Sequence, residues 1–303
     1  MRNDTFSLQV QSIIYNNSLD DLMRTIDCMA HAAQFSKNEG SYLSRFIFSY
    51  GDASKSPIIT DSILGQIKDS YSDIFDFNYH FFGFNSGTSK GHNILNEKCT
   101  ADFTLLMNPD IVVTADFFIE IIRPFQDTQL EVGITEGKQI PIEHPKAFDF
   151  ETRETSWASG ACSVIRTRLF RELGGYDENS FFLYCDDVDL SWRVRMAGYK
   201  IIYCPTAPIY HAKRMNMNGL LSSDAERYYS AEAALLMAHK WSNPHRVHDL
   251  LKYFRASSDE NLKKIAVEYE HRRVGELLPQ PLDPDHKIER FIGGHYALHR
   301  FEL

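Results

Sequence analysis

Three aspartates stand within four positions of one another, Asp186, Asp187 and Asp189, directly after the apolar run FFLYC. On a helix, at ~100° per residue, Asp189 shares a face with Arg193. Asp187 lies on another face, where the nearest basic residue is Arg195, two turns further on. Acids at a helix N-terminus are stabilised by its orphan N–H groups and by the helix dipole. The spacing predicts a structural ion pair for Asp189 and leaves Asp187 open to either a capping or a chemical role.

The helix that carries these acids is apolar on two of its sides. One apolar stripe contains Val188 and Trp192, and another contains Leu190 and Val194. A helix with two apolar stripes packs between layers of a fold, so its acidic N-terminus is expected inside the molecule. Gly198 is a typical helix-ending residue and predicts where this helix stops.

A second group of polar residues follows the strand-like run FTLLM, as Asn108-Pro109-Asp110. A strand that ends in this way directs the Asp110 carboxylate to the edge of a sheet, where it could bind Mg²⁺ or Mn²⁺. The alternative is an ordinary turn, because Asn, Pro and Asp all favour turns.

A third candidate is His211, at the end of KIIYCPTAPIYH and before Lys213 and Arg214. The flanking cations suit an anionic ligand or a metal-bound diphosphate, whereas a lone histidine is more often simply packed or solvated. The glycines of FFGFNSGTSKG (Gly83, Gly87 and Gly91) permit close approach of the backbone to a ligand. Their spacing matches neither the dinucleotide-binding nor the P-loop pattern.

Strand-like and helix-like segments alternate through the first part of the chain. Residues 8–15, 45–50 and 103–107 resemble strands, and 19–33 and 58–71 resemble helices. This alternation predicts an α/β fold with a parallel sheet between helices. The ends of these strands carry Asn16, Asp52 and Asp110, at the edge where such sheets bind ligands. Residues 130–156 are polar and predict a long loop or small subsheet over that edge.

The chain changes character beyond about residue 215 and becomes helical. Ser223 to Glu226 fits a capping box, Pro244 suits the first turn of the next helix, and Gly275 suits the end of a third. We therefore divide the chain into a catalytic domain, residues 1–215, and a helical C-terminal extension, residues 216–303.

The overall composition excludes several classes of protein. A formal charge of −9 argues against a nucleic-acid-binding protein. Five scattered cysteines suit reduced thiols better than disulfides or a zinc site. The N-terminal residues do not resemble a signal peptide, and no apolar run approaches the ~18 residues that span a bilayer. These features predict a soluble cytoplasmic protein, and peripheral contact with the inner face of the cytoplasmic membrane stays open.

Seven segments in a fixed order resemble the inverting family-2 glycosyltransferases of the GT-A (Rossmann-like) fold, with rhamnosyltransferase-like members of bacterial surface-polysaccharide synthesis (O-antigen and capsule) the most similar. The segments are IIYNN, YGDAS, GFNSGTSKG, LLMNPD, WASGACSVIR, GGYDENSFFLYCDDVDLSWRVRMAGYKIIY and YH. The resemblance covers roughly residues 8–240. It implies a mostly parallel sheet flanked by helices and a nucleotide-diphosphate sugar as donor.

The resemblance also implies roles for individual residues. Asp187 matches the catalytic base, and Asp186 replaces the more usual glutamate beside it. Asn108 and Asp110 match the metal-binding D-x-D motif, and His211 matches the histidine that completes the metal site for Mg²⁺ or Mn²⁺. The residues that match the nucleotide site are Ile14, Tyr15, Asn16, Asp52, Ser54, Gly83 and Phe84. Those that match the sugar and acceptor site are Trp157, Ser159 and Gly160, with Asp186, while Ser89 stands where many members carry Asn.

The expected activity is transfer of L-rhamnose from dTDP-rhamnose, or of a hexose from a UDP-sugar. The expected acceptor is a glycan, free or linked to polyprenyl diphosphate. The C-terminal helices could serve membrane docking, homodimerisation or assembly with other transferases. An alternative is a non-catalytic nucleotide-sugar or glycan-binding module, which Asn108 and Asp186 favour because both depart from the family pattern. A nucleotidyltransferase is a weaker alternative, because IIYNNSLDD is not a glycine-rich basic loop.

Overall fold

The structure, a computed structural model, describes residues 5–127, 129–143, 147–211 and 223–292. The strands are β1 (Phe6–Ile14), β2 (Leu43–Asp52), β3 (Asp76–Phe81), β4 (Phe103–Met107), β5 (Ile111–Val113), β6 (Val132–Ile140), β7 (Cys162–Arg166) and β8 (Lys200–His211). The helices are α1 (Leu19–Asn38), α2 (Asp61–Tyr71), α3 (Gly87–Glu97), α4 (Phe117–Ile122), α5 (Thr167–Glu172), α6 (Asp186–Met196), α7 (Asp224–Lys240), α8 (Pro244–Ala256) and α9 (Glu260–Val274). A 3₁₀ turn, Arg123–Gln126, follows α4.

The eight strands form one mixed sheet in the order β3-β2-β1-β4-β7-β6-β8-β5. Strands β3, β2, β1 and β4 are parallel neighbours, and β6 is parallel to β8. Strand β7 is antiparallel to both β4 and β6, and β5 is antiparallel to β8. The predicted α/β class with a mostly parallel sheet flanked by helices is confirmed, and so is the helical C-terminal part.

The local signals noted in the sequence have the expected structural effect. Ser223 accepts a hydrogen bond from the Glu226 N–H, and the Glu226 side chain accepts one from the Ser223 N–H, so the predicted capping box is formed. Pro244 lies in the first turn of α8, and α9 ends at Gly275. Helix α6 runs from Asp186 to Met196, and nine of its side chains, Asp186 through Val194, are buried. A helix buried on all sides explains its two apolar stripes.

The prediction of a loop or small subsheet for residues 130–156 is wrong for its first part. Strand β6 lies inside the main sheet, between β7 and β8. Its polar side chains are buried because distant groups hydrogen-bond them. Thr135 Oγ1 donates to the Ile121 carbonyl at 2.9 Å, and the Glu136 carboxylate accepts the Ser159 N–H at 2.9 Å. Composition alone could not distinguish such a strand from a loop. The rest of the segment forms a bridge between Phe148 and Thr155, and residues 144–146 lie outside the description.

The glycine-rich segment is also more regular than expected, because it leads into α3. Gly87 has φ +63°, and a Cβ there would collide with the Phe182 carbonyl. A Cβ on Gly91 would lie 2.8 Å from Ile13 Cδ1. These two glycines therefore permit close packing within the protein, whereas a Cβ on Gly83 (φ +75°) would make only an ordinary contact, 3.8 Å from the Phe81 ring.

Three apolar clusters hold the layers together. The largest packs α1, α2 and α4 against the sheet. A second places α5 and α6 against it through Phe170, Leu190 and Val194. The third joins α6 to α7, α8 and α9, and its largest side chains are Trp157, Trp192 and Trp241. Helix α6 therefore contacts the sheet on one side and the C-terminal helices on the other.

The chain after α9 returns to α6. The ring of Phe291 packs edge-on against Trp192, with centroids 5.3 Å apart, and an Arg195 N–H donates to the Ile288 carbonyl.

All five cysteines are free thiols, and four of them are buried. Across the part of the chain that the structure describes, no helix combines the length and apolarity needed to cross a bilayer.

Candidate functional site

Helix α6 begins after two residues in the left-handed backbone region. Tyr184 has φ +66° and Cys185 has φ +57°. This conformation costs non-glycine residues on the order of 1–3 kcal/mol each and persists only where the surroundings enforce it. The Cys185 side chain is buried, and its carbonyl accepts the Asp189 N–H at 2.8 Å. The strained turn places the first two acids of α6 at the wall of a cavity.

This cavity has a volume of about 300 Å³ and collects residues from distant parts of the chain. Six of the residues predicted for the site line it: Asn108, Ser159, Gly160, Asp186, Asp187 and His211. They come from the end of β4, the loop before β7, the start of α6 and the end of β8. The structure therefore brings together the residues matched to the metal site, the acceptor site and the base. Lys213 and Arg214 lie outside the described residues.

The Asp187 carboxylate is fixed by backbone N–H groups. Its Oδ2 accepts the Gly160 N–H at 2.9 Å, and its Oδ1 accepts the Val188 N–H at 2.9 Å. Ser191 donates to the Asp187 carbonyl at 2.6 Å and accepts the Ala158 N–H at 3.0 Å, which links α6 to the loop before β7. Arg195, the nearest basic residue on that face of the helix in the sequence, donates a hydrogen bond to the Ile288 carbonyl. Asp187 is thus oriented while it lines the cavity.

Asp186 lies beside Asp187 and contacts α3. Its Oδ2 accepts a hydrogen bond from Ser89 Oγ at 3.2 Å, and both side chains are buried. Burial, together with the charges of Asp186 and Asp187, raises the pKa of the Tyr176 hydroxyl well above its usual value. Tyr176 packs against His92, whose pKa burial lowers to about 3. The groups behind the two acids therefore stay neutral near pH 7.

Asp189 faces away from this cavity and is fully buried. Its Oδ2 accepts Arg193 Nε at 2.8 Å, and its Oδ1 accepts Lys240 Nζ at 2.8 Å and Trp241 Nε1 at 3.1 Å. Lys240 also pairs with Asp177 at 2.7 Å. The predicted structural ion pair is confirmed, and it belongs to a larger network between α6 and α7.

Asn108, Asp110 and His211 form a small polar group at the edge of the sheet. His211 Nε2 lies 3.5 Å from Asp110 Oδ1 and 3.3 Å from Asn108 Nδ2. His211 Nδ1 lies 3.1 Å from the oxygen of the buried Gln139 side chain. A proton on Nδ1 would make this a hydrogen bond and leave Nε2 as a lone-pair donor toward Asp110.

These side chains fit a divalent cation held jointly with a ligand. Within the described residues, no group of three or more His, Cys, Asp or Glu side chains is arranged to hold a metal ion. Asp110 and His211 supply one oxygen and one nitrogen donor, and rotation of the Asn108 amide would add an oxygen. Mg²⁺ and related ions commonly take one or two protein ligands and complete their shell with phosphate oxygens and water. The donor set suits a metal bound together with a diphosphate.

The residues matched to the nucleotide site lie at or just after the ends of β1, β2 and β3. The Asn16 N–H donates to Ser54 Oγ at 2.8 Å, and the Ser54 N–H donates to Asp52 Oδ1 at 2.8 Å. The Asp52 carboxylate is fully buried and also accepts the Ile58 N–H and the Tyr79 hydroxyl. Asp52 thus organises this loop, and its contact with a base stays a prediction.

The remaining nucleotide residues differ in exposure. Ile14 is buried, whereas the rings of Tyr15 and Phe84 are about half exposed, at 53% and 45%. Lys90 Nζ lies 5.4 Å from the centre of the Phe84 ring. Two exposed rings and a cation beside the open end of the sheet suit a nucleotide chemically.

Trp157 does not line the cavity that contains Asp187. Its side chain is 2% exposed and belongs to the apolar cluster that joins α6 to the C-terminal helices. The sequence motif that contains it does reach the cavity, through Ser159 and Gly160. The assignment of Trp157 to acceptor binding stays a prediction, and its observed surroundings are those of a core residue.

The family comparison identifies the chain. A sequence model described as "Glycosyltransferase like family 2" matches residues 60–230, more than half of the chain. The chain belongs to this family. The matched region includes the cavity residues on β4, before β7, on α6 and on β8.

Several curated relatives of this family member are rhamnosyltransferases. The chain is 41% identical over 61 residues to the N-acetylglucosaminyl-diphospho-decaprenol L-rhamnosyltransferase of Mycobacterium tuberculosis, a match that spans only 20% of each protein. It is 22% identical over 180 residues to the rhamnosyltransferase WbbL of Escherichia coli, covering 49% of this chain and 68% of that protein. It is 24% identical over 151 residues to the O-antigen chain rhamnosyltransferase WbaN of Salmonella anatum, covering 43% and 46%.

Solved structures establish the fold as GT-A. GalNAc-T7 with UDP, GalNAc and Mn²⁺ matches with a TM-score of 0.58 at 12% identity, over 91% of this chain and 56% of that one. The mannosyltransferase PcManGT from Pyrobaculum calidifontis, with GDP-Man and Mn²⁺, matches with a TM-score of 0.55 at 16% identity, over 90% and 82%. Both are GT-A glycosyltransferases crystallised with a divalent metal.

Sequence reasoning missed several residues that build the site in this family member. Glu136 and Gln139 lie on β6, which composition had assigned to a loop, and they orient Ser159 and His211. Thr88 and Tyr184 line the cavity. The near-continuous burial of Val132–Ile140 was masked by its polar side chains. Only the knowledge of their distant partners would have revealed it.

Proposed function

We propose that this protein is an inverting glycosyltransferase that moves a sugar from a nucleotide-diphosphate donor onto a hydroxyl of a glycan. The donor is dTDP-L-rhamnose or a UDP-hexose. The acceptor is a growing surface polysaccharide, free or carried on polyprenyl diphosphate at the cytoplasmic face of the membrane. The observation that carries this proposal is that Asp187, Asn108 and His211 line one cavity.

The cavity offers the two kinds of group that the reaction needs. Asp187 is the general base: it accepts the proton of the acceptor hydroxyl while that oxygen attacks the anomeric carbon. The bond from this carbon to the diphosphate oxygen breaks on the opposite face, and the nucleoside diphosphate leaves. The Gly160 N–H at 2.9 Å keeps the carboxylate oriented during the transfer. Asp186, held by Ser89, orients the acceptor.

Asp110 and His211, with Asn108 beside them, would hold Mg²⁺ or Mn²⁺ against the diphosphate. Such an ion supplies charge neutralisation to the leaving group. Gln139 would leave the Nε2 of His211 available to such an ion. The residues that would surround the nucleotide are Ile14, Tyr15, Asn16, Asp52, Ser54, Gly83 and Phe84. The two GT-A structures that contain Mn²⁺ support a metal of this type.

The relatives support the choice of substrates. Two of them are named for rhamnosyl transfer, to an N-acetylglucosaminyl-diphospho-decaprenol and to an O-antigen chain respectively. We assign donor binding, the chemistry and the acceptor contacts of Asp186 to residues 1–215, and membrane docking, homodimerisation or assembly with other transferases to residues 216–303. The border falls among residues 212–222, outside the described part of the chain.

A thermal-shift screen tests donor and metal together. A donor that binds at a hundred times its Kd should stabilise the protein by about 2.7 kcal/mol, which raises Tm. We expect this rise with dTDP-rhamnose or a UDP-sugar in the presence of Mn²⁺, and its loss in Asp110→Ala. The exposed Asp116→Ala is the matched control, because it changes an acid in the same region outside the cavity. Indifference to both Mn²⁺ and Asp110→Ala would contradict the metal site.

The second candidate function is a binding module without turnover. Asn108 in place of an acid and the shorter Asp186 favour it. The wild-type protein should then show the donor-dependent rise in Tm but release no nucleoside diphosphate, with or without acceptor. Release of nucleoside diphosphate by the wild type, and its loss when Asp187 is replaced, would show that the protein is a transferase and not a binding module.

A further inference from the structure

A groove of about 520 Å³ lies between the start of α7, the middle of α9 and the segment before α6. We call it the α7–α9 groove, and its walls include Phe182, Tyr228, Tyr229, Glu232, Asn261 and Arg272. None of these residues has a role in the donor site or the metal site proposed above. The groove is large enough for a sugar unit or two, since typical ligand sites occupy ~300–1,000 Å³.

The groove adjoins the candidate active site through one short segment. Phe182 lines the groove, whereas the next two residues, Leu183 and Tyr184, line the cavity that contains Asp187. The Phe182 carbonyl also accepts the N–H of Thr88 at 3.0 Å, and Thr88 is a cavity residue. Consecutive Cα atoms are about 3.8 Å apart, so the two sites have walls formed by directly adjacent residues.

One wall of the groove is aromatic. The rings of Phe182 and Tyr229 pack with centroids 4.7 Å apart and planes inclined at 34°, and Tyr228 meets Tyr229 edge-on at 5.2 Å. All three side chains are partly exposed. A pyranose ring presents a face of C–H groups that packs on such rings, and its hydroxyl groups point outward to polar partners.

The charged side chains of the groove are already paired, in part between α7 and α9. Arg272 lies 3.2 Å from Glu232, Lys264 lies 3.7 Å from Glu268, and the Tyr228 hydroxyl donates to Glu268 at 2.8 Å. Burial raises the pKa of Glu232, although the nearby Arg272 opposes that rise. Nearly balanced charge offers little attraction to a phosphate. Paired carboxylates and an amide, by contrast, suit the many hydroxyl groups of an uncharged sugar.

We infer that the α7–α9 groove binds uncharged sugar units of the acceptor glycan, on the side remote from the hydroxyl that reacts at Asp187. This inference rests on the proposed transferase function, because it names where the acceptor of that reaction extends. It gives the C-terminal helices a substrate role: the tyrosines of α7 supply a stacking surface, and Glu232 and Asn261 supply hydrogen bonds.

The test is saturation-transfer NMR with N,N′-diacetylchitobiose and a rhamnose disaccharide as probes. Tyr229→Ala should weaken binding about tenfold or more, as expected for the loss of a stacking ring and its buried area. Glu232→Gln should weaken it less. Tyr253→Ala is the matched control, because Tyr253 is an exposed tyrosine of α8 outside the groove. A preserved donor-induced rise in Tm shows that Tyr229→Ala is folded.

The possible outcomes separate the two proposals. Binding by the wild-type protein that Tyr229→Ala loses and Tyr253→Ala keeps supports the groove. The groove proposal is overturned if all three proteins bind the disaccharide equally, if the wild type does not bind it, or if pyrophosphate displaces the sugar. A protein that binds a disaccharide in the groove but no nucleotide sugar contradicts the transferase function alone. One that binds nucleotide sugars but fails the disaccharide test contradicts the groove alone.

Discussion

The two sides of helix α6 carry the same residue type in opposite environments. On the cavity side, Asp187 is held by backbone N–H groups, and the buried side chains of Tyr176 and His92 behind the two acids are neutral at pH 7. On the other side, Asp189 is held by Arg193, Lys240 and Trp241. The two carboxylates are two positions apart in the sequence, yet one lines a cavity and the other is fully buried.

The difference shows what makes a buried carboxylate available for chemistry. A carboxylate with two cations on it is stabilised in its charged form and is a poor proton acceptor. Backbone N–H groups orient a carboxylate without placing a full positive charge against it. We therefore expect the cavity side of α6 to determine turnover and the other side to determine stability.

The largest effect is expected at Asp187. Asp187→Asn removes the proposed base with little change of shape, so transfer should slow by about 10²- to 10⁴-fold. The donor-dependent rise in Tm should be nearly unchanged, because the nucleotide and metal residues are intact. Initial rates with radiolabelled donor measure the rate of transfer. Asp249→Asn, at an exposed acid of α8, is the control. Near-normal turnover would show that the base is elsewhere.

Asp189→Asn should act in the opposite way. Breaking a buried ion pair typically costs ~3–5 kcal/mol, and we expect the lower part of that range here, because Lys240 keeps Asp177 as a partner. Urea unfolding should report this loss of unfolding free energy. Turnover per folded molecule should fall far less than in Asp187→Asn. If Asp189→Asn is as inactive as Asp187→Asn when fully folded, the division of α6 into two functional sides is wrong.

Gln139 offers a smaller effect, again on the cavity side. Its side-chain oxygen lies 3.1 Å from His211 Nδ1, and loss of such an outer partner commonly weakens metal binding by about 10- to 100-fold. Gln139→Ala should therefore weaken Mn²⁺ binding in the presence of nucleoside diphosphate, as measured by calorimetry. Gln129→Ala, at an exposed glutamine, should leave it unchanged. Unaltered Mn²⁺ affinity in Gln139→Ala would exclude this orienting role.

A change of pH should also separate the two sides of α6. Burial lowers the pKa of His92 from its usual 6.5 to about 3, so the unfolded chain takes up this proton first as the pH falls. His92 should therefore reduce unfolding free energy between pH 6.5 and 3, by at most about 1.4 kcal/mol per pH unit. His92→Gln should flatten that part of the stability curve.

Asp177, on the other side, should respond only in stronger acid. Burial favours its protonated form, but Lys240 and Ser180 outweigh burial and lower its pKa below 3.8. Its contribution to stability is present above pH 3.8 and is lost below it, as the folded form becomes protonated.

Identical pH profiles for the wild type and His92→Gln between pH 6.5 and 4 would contradict the buried neutral histidine.

Much of the fold could be predicted from local signals. Strand β4, the position of α6 and the three C-terminal helices follow from apolar periodicity, caps, proline and glycine. Strand β6 and helix α3 could not be predicted in this way. The first buries polar residues whose partners are far away in the chain, and the second begins with Gly87, Thr88 and Ser89, which are weak helix formers.

The candidate site was predictable to a similar extent. Helical spacing separated Asp189 from Asp187 correctly, because the faces of a helix are set by local geometry. Spacing could not reveal that Lys240 and Trp241 complete the Asp189 network, or that Gly160 holds Asp187, because these contacts depend on tertiary packing. The resemblance assigned Trp157 to the acceptor site, whereas the structure buries that side chain against the C-terminal helices.

The return of the chain onto α6 affects how this protein could be recombined with its relatives. The family match ends at residue 230. Four later residues contact α6 or its carboxylates: Lys240, Trp241, Ile288 and Phe291. A chimaera joined at residue 230 would pair this α6 with foreign side chains and leave Asp189 in a mismatched environment. To recombine this protein with its relatives, α6 and everything from α7 to Phe291 should be transferred as one block.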